Sequence, residues 1–169
     1  MVNLRVGDAR EIDTAWSIWC EANVATQLGQ PADDQLGRMK RRLLLPTTAL
    51  YFLEDDGDAI AVALLSQALE RGGAGRPIDG LAHISTVAVR PNYWGRGLAT
   101  TLIREALEEA GRTGYHRVQL WVHASNQRAI RLYQRLGFEK TNDTQPDDFG
   151  RPLLRYEMSL AASSIDEAL

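Results

Sequence analysis

Three things are scarce in this chain: cysteine, long apolar runs and clustered positive charge. Cys20 is the one cysteine among 169 residues, so no intramolecular disulfide can form. No run approaches the roughly 20 apolar residues of a membrane-spanning helix, and the N-terminal MVNLRVGDAR has no apolar signal segment. The net charge is -3, and the basic run Lys40-Arg41-Arg42 is too short for a nucleic-acid footprint. We therefore expect a cytoplasmic protein that binds neither membranes nor nucleic acid.

The length and the composition suit one compact domain. The chain is 44% hydrophobic and 24% charged, as is usual for a single globular unit. We expect this domain to occupy residues 1–160 and the tail at residues 161–169 to be frayed. Cys20 lies in the apolar helical pattern WSIWCEA, which favours a buried structural thiol over a nucleophile.

The most informative segment runs from Val87 to Ala99 and reads VAVRPNYWGRGLA. A β-rich run and a proline-anchored turn lead to Gly95 and Gly97, directly before a helix that begins near Leu98. Because glycine lacks a Cβ atom, backbone N–H groups can converge on an anion there, and the helix adds unpaired N–H groups and its positive dipole end. The segment predicts a phosphate-binding loop, although a G-x-G before a helix also occurs as a plain tight turn.

The residues after this loop support the prediction because they continue as helix, strand and helix. Apolar residues recur with helical spacing after Leu98, and a turn at Gly114 leads into the strand RVQLWVH. Ser125 or Asn126 can cap a second helix, which Gly137 ends. The predicted unit is strand, anion loop, helix, strand and helix.

This unit resembles the core of the GCN5-related N-acetyltransferases, the GNAT superfamily, over residues 80–140, and it is similar to the branch that acetylates the alanine of ribosomal proteins. The signature (Q or R)-x-x-G-x-(G or A) falls on residues 94–99, with Trp94 in place of the first Gln or Arg. The signature N-x-x-A-x-x-L-Y-x-x-x-G-F is matched by Asn126, Ala129, Leu132, Tyr133, Gly137 and Phe138. The upstream pattern V-x-V-x-P is matched by Val87, Val89 and Pro91.

The resemblance implies a fold and an activity. The fold would be α/β (α+β), with a mixed, mostly antiparallel sheet of about seven strands flanked by helices on both faces. The activity would be transfer of an acetyl group from acetyl-CoA to a primary amine, by direct attack in a ternary complex. The acceptor would be a small molecule, a peptide N-terminus or a lysine, and a homodimer is open by analogy.

The resemblance also implies which residues bind acetyl-CoA. Backbone groups of Val87, Ala88 and Val89 would lie beside the pantetheine arm and the thioester. The N–H groups that would hold the diphosphate are those of Gly95, Arg96, Gly97, Leu98, Ala99 and Thr100. Asn126 would lie beside the pantetheine arm or an active-site water.

The catalytic residues are less clear from the sequence. Tyr133 would lie near the sulfur, where a phenol can protonate the departing thiolate, although its helical spacing with apolar residues also suits an ordinary core tyrosine. The usual general base is missing, because the Glu five residues before Asn126 is here Trp121. His83 and His123 are the candidates for the base, since histidine accepts a proton near neutral pH. Each also suits a half-buried histidine that hydrogen-bonds to backbone.

Two other classes of function fit less well. A dinucleotide-binding oxidoreductase needs G-x-G-x-x-G, which fails at Thr100, and an acidic end to the next strand, where Leu120 and Trp121 stand. A non-catalytic acyl-CoA-binding or regulatory module is the alternative that the missing glutamate leaves open. The sequence does not identify the acceptor amine.

Outside the core, turn and periodicity signals predict further elements. They are a strand at Leu4–Val6, a helix starting at Asp8 or Asp13, a helix at Pro31–Leu45, a hairpin of Ala49–Leu53 and Ala59–Leu69, a loop at Glu70–Asp79, a short strand after Phe138, a polar loop at Asn142–Arg151, and a strand at Leu153–Leu160.

Overall fold

The computed structural model describes residues 1–26, 28–29 and 32–161. The strands are β1 Val2–Gly7, β2 Ala49–Asp55, β3 Asp58–Leu69, β4 Pro77–Val89, β5 Arg117–His123, β6 Glu139–Pro146 and β7 Pro152–Ser159. The helices are α1 Ile12–Ala25, α2 Asp33–Leu43, α3 Glu70–Gly73, α4 Leu98–Arg112 and α5 Gln127–Arg135.

The strands form one sheet, in the order β1-β2-β3-β4-β5-β7-β6. The pairs β1 with β2, β2 with β3, β5 with β7 and β6 with β7 are antiparallel. β4 and β5 run parallel, with Leu81–His83 beside Arg117–Gln119. The predicted mixed, mostly antiparallel sheet is confirmed. No helix in the described part of the chain is both long and apolar enough to cross a membrane.

The chain divides into two compact units, and β4 contributes to both. The first unit contains residues 1–67 and 84–106, and the second contains residues 68–83 and the chain from residue 107 onward. A single domain over residues 1–160 therefore stays a prediction. The predicted frayed tail, apart from Ala161, lies outside the described residues.

In the first unit, α1 and α2 pack on one face of β2, β3 and β4. Alternate residues of each strand point to this face, and each helix buries a stripe spaced by three or four residues. The buried members of this cluster are Ala15, Ile18, Ala22, Met39, Leu50, Phe52, Val62, Leu64 and Ala88. The predicted hairpin of β2 and β3 is confirmed, and its turn residues Asp56 and Gly57 both have positive φ.

The second unit is built on β5, whose bounds match the predicted strand RVQLWVH. Val118, Leu120 and Val122 are buried on β5, and Ile130 and Tyr133 are buried on α5. These positions follow the two-residue period of a strand and the helical period of three to four residues.

Several predicted boundaries are wrong. Glu70–Asp79 is not wholly a loop, because α3 forms a short turn there and β4 already begins at Pro77. The short strand predicted after Phe138 is β6, but it continues to Pro146 and so overlaps the loop predicted at Asn142–Arg151. The side chains of β6 are polar because it is an exposed edge strand. Its strand conformation is stabilised by backbone pairing with β7, which a polar sequence pattern does not predict.

The helices before β2 are close to their predicted positions. Asp8 is not the first residue of a long helix: it caps a short 3-10 turn at Ala9–Glu11, and α1 begins at Ile12. The second predicted helix is α2, which is shorter than Pro31–Leu45, and Pro31 lies outside the described residues.

Replacing Phe52 by Ala tests the core of the first unit. Phe52 is fully buried, so the cavity left by Phe52→Ala should lower the free energy of unfolding by about 3–5 kcal/mol. Phe149→Ala is the matched control, because Phe149 is 61% exposed and also lies beneath an arginine. We expect the control to change stability by less than about 0.5 kcal/mol in urea unfolding. Equal losses from both substitutions would contradict the assignment of Phe52 to the core.

Candidate active site

The predicted anion loop joins β4 to α4. Gly95 and Gly97 have φ values of 80° and 74°, which glycine adopts most readily. A Cβ atom added at either position would meet no atom within 4 Å, so open space adjoins both residues. α4 begins at Leu98, and the Thr101 N–H donates to Gly97 O at 3.1 Å. The N–H groups of residues 98–100 therefore have no acceptor within the helix, and they can receive an anion.

Trp94 closes the turn before these glycines. Its indole Nε1–H donates to Val89 O at 2.6 Å, which ties the loop to the end of β4. The following Arg96 lies over the ring of Tyr93, with its guanidinium carbon 4.9 Å from the ring centroid. The aromatic residue in place of the usual Gln or Arg thus has a structural role in the turn.

Arg90 anchors the start of the loop. Its backbone N–H donates to Ile60 O at 2.8 Å, and its Nε–H donates to Ala59 O at 2.9 Å. Its guanidinium also forms an ion pair with Glu21 of α1. The loop is therefore fixed to β3 and to α1 before it reaches the glycines.

The strand that enters the loop is irregular. Thr86 has a φ of 57°, a left-handed conformation that is costly for a β-branched residue. The buried Ser85 hydroxyl has no hydrogen-bond partner among the described residues. Beyond them, Val87 is half-buried, and Ala88 and Val89 are buried. Strained backbone and unsatisfied polar atoms are most often kept at functional sites, so this stretch of β4 is a candidate ligand-binding segment.

These features of the first unit fit the acetyl donor expected from the sequence. The segment Gly95–Thr100 combines open space, unpaired N–H groups and a helix N-terminus, which is the chemistry that a diphosphate requires. The segment Val87–Val89 follows the irregular part of β4. The roles of the individual residues stay predictions.

Asn126 precedes α5 as its N-cap, and Tyr133 lies on α5, both in the second unit. Asn126 Oδ1 caps the helix by accepting from the Ala129 N–H at 3.2 Å, which leaves its NH₂ group available to donate. Tyr133 is buried, and its ring meets Phe138 edge-on with centroids 6.0 Å apart. Burial raises the pKa of Tyr133 to about 12, so the phenol keeps its proton at neutral pH.

His83 is buried and belongs to a chain of polar side chains with Gln119 and Arg155. Arg155 Nη1 donates to Gln119 Oε1 at 3.1 Å, which orients the amide so that its Nε2 faces His83 Nδ1 at 3.4 Å. An amide nitrogen can only donate, so the lone pair of His83 Nδ1 points at Gln119. The same arginine binds Glu157 and Asp143. His83 is thus tied into a network that holds its ring.

His123 has a different partner. Its Nε2 lies 2.9 Å from Oδ2 of Asp147, whose side chain is 6% exposed. Burial alone would raise the pKa of Asp147, but hydrogen bonds from His123, from Arg151 and from the Phe149 N–H outweigh it and hold the pKa well below its ordinary value. Because the carboxylate is ionised, it accepts the Nε2 proton of His123. No described hydrogen bond uses the other ring nitrogen, Nδ1, so its lone pair can accept a proton.

Three residues of these networks are not predicted by the sequence. The pattern around Gln119 and Arg155 predicts ordinary strand residues, and the pattern around Asp147 predicts a polar loop. The one available signal was the turn DDFGR, in which Asp147 accepts from the backbone N–H groups of Phe149 and Arg151. Such a turn predicts a fixed carboxylate but not the histidine beside it.

Comparison with known proteins identifies the family. The Acetyltransferase (GNAT) family model matches residues 13–138, and the chain belongs to this family, which uses acetyl-CoA as acetyl donor. It is 33% identical over 131 residues to a mycothiol acetyltransferase of Brachybacterium faecium, covering 72% of this chain and 37% of the relative. The chain spans 26–63% of the length of the first curated relatives that it matches.

Solved structures share the fold. The ribosomal-protein-S18-alanine N-acetyltransferase of Escherichia coli superposes with a TM-score of 0.75 at 19% identity, with 100% of both chains covered. The yncA protein of Salmonella typhimurium, solved with its cofactor acetyl-CoA, gives a TM-score of 0.71 at 24% identity, with 99% of both chains covered. The expected fold and family are confirmed.

Gly97→Ala tests the anion loop. The new methyl group occupies the open space beside the N–H groups and strains a backbone with φ of 74°, so we expect the thermal shift produced by acetyl-CoA to disappear. Gly114→Ala is the matched control, because Gly114 has a φ of 90° and equally open surroundings outside the loop. Both variants should lose about 1–2 kcal/mol of stability, and only Gly97→Ala should lose the shift. Loss of the shift in both would contradict the assignment.

Proposed function

We propose that this protein transfers an acetyl group from acetyl-CoA to a primary amine by direct attack in a ternary complex. The observation that carries the proposal is the loop at Gly95 and Gly97, with open space and unpaired N–H groups at the start of α4. Family membership supports the same donor. A cytoplasmic location and a homodimer stay predictions.

The proposed donor site uses backbone groups. N–H groups of residues 95–100 would hold the diphosphate, while Val87 and Val89 would contact the pantetheine arm and Asn126 would donate from its NH₂ group. Acetyl-CoA, when bound, would supply the acetyl group as a thioester, with CoA as the thiolate leaving group. No covalent attachment to the protein is required, because the amine nitrogen can attack the thioester carbon once both are held together.

We assign the general base to His123 in preference to His83. An ammonium group must lose a proton before it can attack, and His123 offers an Nδ1 lone pair to receive that proton. Asp147 would hold the ring in the required tautomer and stabilise the imidazolium that forms. At His83 the corresponding lone pair already faces Gln119. His123 also shares a strand face with Trp121, the position where related enzymes carry glutamate.

Tyr133 would act at the departing sulfur as a hydrogen-bond donor. A pKa of about 12 lies above the thiol value of about 8.5, so complete transfer of the phenol proton to the thiolate is unfavourable. The protonated Oη can still stabilise the developing negative charge by donating a hydrogen bond. This role is narrower than the general acid expected from the sequence.

The central experiment is release of CoA thiol from acetyl-CoA in the presence of a library of primary amines, with thermal unfolding in acetyl-CoA alongside. An acetyltransferase should give an acceptor-dependent rate and a thermal shift. A shift without acceptor-dependent release for any amine would instead support the alternative, a non-catalytic acyl-CoA-binding module.

His123→Gln tests the base. We expect kcat near pH 7 to fall about 100-fold or more, with the acetyl-CoA thermal shift retained. The deficit should shrink as the pH rises, because more of the acceptor amine is then already deprotonated in solution. Asp147→Asn should give a smaller loss, and His116→Gln, in a turn before β5, should keep the wild-type rate. An unchanged rate in His123→Gln would exclude this base.

Tyr133→Phe tests the proposed donor at the sulfur. Loss of one hydrogen bond to the leaving group should lower kcat about 100-fold, with acetyl-CoA binding unchanged. Tyr156→Phe is the matched control, because Tyr156 is also buried. With a pKa of about 12, Tyr133 stays protonated up to about pH 11, so it should add no falling limb to the pH–rate profile below that pH. A falling limb near pH 9 that Tyr133→Phe removes would contradict this account.

A further inference from the structure

Arg42 lies in the last turn of α2 and turns towards the sheet. α2 is held on the core of the first unit by Met39 and Leu43. The Arg42 guanidinium is half-buried, and its Nη1 donates to Ser66 Oγ of β3 at 3.3 Å. Ser66 itself is fully buried. A flexible cationic side chain is thus placed against a serine in the interior of the unit.

Arg42 has no carboxylate partner in the part of the chain that the structure describes. Its neighbours differ, because Arg38 and Arg41 both form ion pairs with Asp34. Burial lowers the pKa of Arg42, and the nearby charge of Arg38 lowers it further. A guanidinium has five N–H donors, and here a neutral hydroxyl accepts one of them. Such a group is poorly compensated unless an anion joins it.

The helix dipole does not explain this arrangement. Cations are favoured near a helix C-terminus, which suits the exposed Lys40 and Arg41. An arginine could satisfy the same dipole while its guanidinium stays hydrated, since the side chain is long. Arg42 gives up part of its hydration, and among the described residues its guanidinium receives a serine hydroxyl in exchange.

The diphosphate of the donor does not fit as a partner of Arg42. β4 enters the anion loop beside Ile60, whose carbonyl accepts from the Arg90 N–H. Ser66 lies six residues further along β3, which at about 3.3 Å per residue is about 20 Å away. A diphosphate held at the loop would therefore lie far from Arg42, and the amine acceptor is the other molecule of the proposed reaction that can carry an anion.

We infer that Arg42, steadied by Ser66, binds a carboxylate of the amine acceptor, so that the substrates are amino acids or closely related amino carboxylates. This inference rests on the proposed acetyl transfer to an amine. Ser66 binds Nη1, and no described residue accepts from Nε or Nη2, whose two parallel N–H groups match the two oxygens of a carboxylate.

The test compares L-amino acids with the corresponding L-amino amides, which keep the amine and lose the negative charge. Aminoethyl phosphate is the third probe. CoA thiol release gives kcat/KM for each. The wild-type protein should prefer the best amino acid to its amide by about 10- to 100-fold, mainly through KM, as expected for a charge-assisted pair.

Three variants locate this preference. Arg42→Gln should reduce the acid-to-amide ratio to about one, and Arg42→Lys should keep part of it, because the charge remains but the paired N–H groups do not. Arg41→Gln makes the same charge change at an exposed position of the same helix and should leave the ratio unchanged. The acetyl-CoA thermal shift should be equal in all three.

Each other outcome overturns the inference. Amides that react as well as acids in the wild-type protein would show that no carboxylate is bound. Equal losses for acids and amides in Arg42→Gln would indicate a structural role, and loss of the acetyl-CoA shift would place a donor phosphate at Arg42. An Arg42-dependent preference for aminoethyl phosphate over every amino acid would replace carboxylate by phosphate. If no amine of any probe set releases thiol, the proposed transfer itself fails, and the inference fails with it.

Discussion

The backbone conformation of residues 86–97 is the constraint on which the candidate donor site depends. Thr86 takes a left-handed conformation in β4, and two further positive φ values, at Gly95 and Gly97, bring the chain into α4. If these residues had the negative φ values of ordinary strands or helices, the chain would not lead from β4 into α4 with the first N–H groups of the helix accessible. The hydrogen bonds of Arg90 and Trp94 hold this path by tying the loop to β3 and to the end of β4.

The charged residues of the two units are used in different ways. In the second unit, Asp147 is surrounded by donors and Arg155 is shared by an amide and two carboxylates, so both serve to fix neighbouring side chains. In the first unit, the hydrogen-bond partner of the Arg42 guanidinium among the described residues is the Ser66 hydroxyl. Groups held by several partners define geometry, whereas a half-buried cation with no carboxylate partner in the described chain retains the capacity to bind an anion.

The sequence predicted best where local signals and tertiary contacts agree. The bounds of β5 and the start of α4 follow directly from hydrophobic periodicity and from the glycine loop, and the cap of α5 follows from Asn126. It predicted worst at the end of β6, where exposed polar side chains give no period, and near α3, where Arg71 and Gly72 adopt positive φ values. Pairing with a distant strand decides such segments, and a local pattern does not contain that information.

The sequence by itself determined the family, the acetyl donor and the position of the anion loop, because two spaced motifs encode local turns that work through the backbone. Only the tertiary structure decided how the hydrogen-bond partners of the two histidines differ. Gln119, the partner of His83, lies far from it along the chain, and Asp147, the partner of His123, lies in a loop without a motif. The same holds for Tyr133, whose raised pKa follows from burial, and for Arg42, whose guanidinium donates to Ser66, 24 residues away along the chain. The burial of a side chain and the identity of its partners depend on which distant segments of the chain come into contact, and these contacts form only when the chain folds.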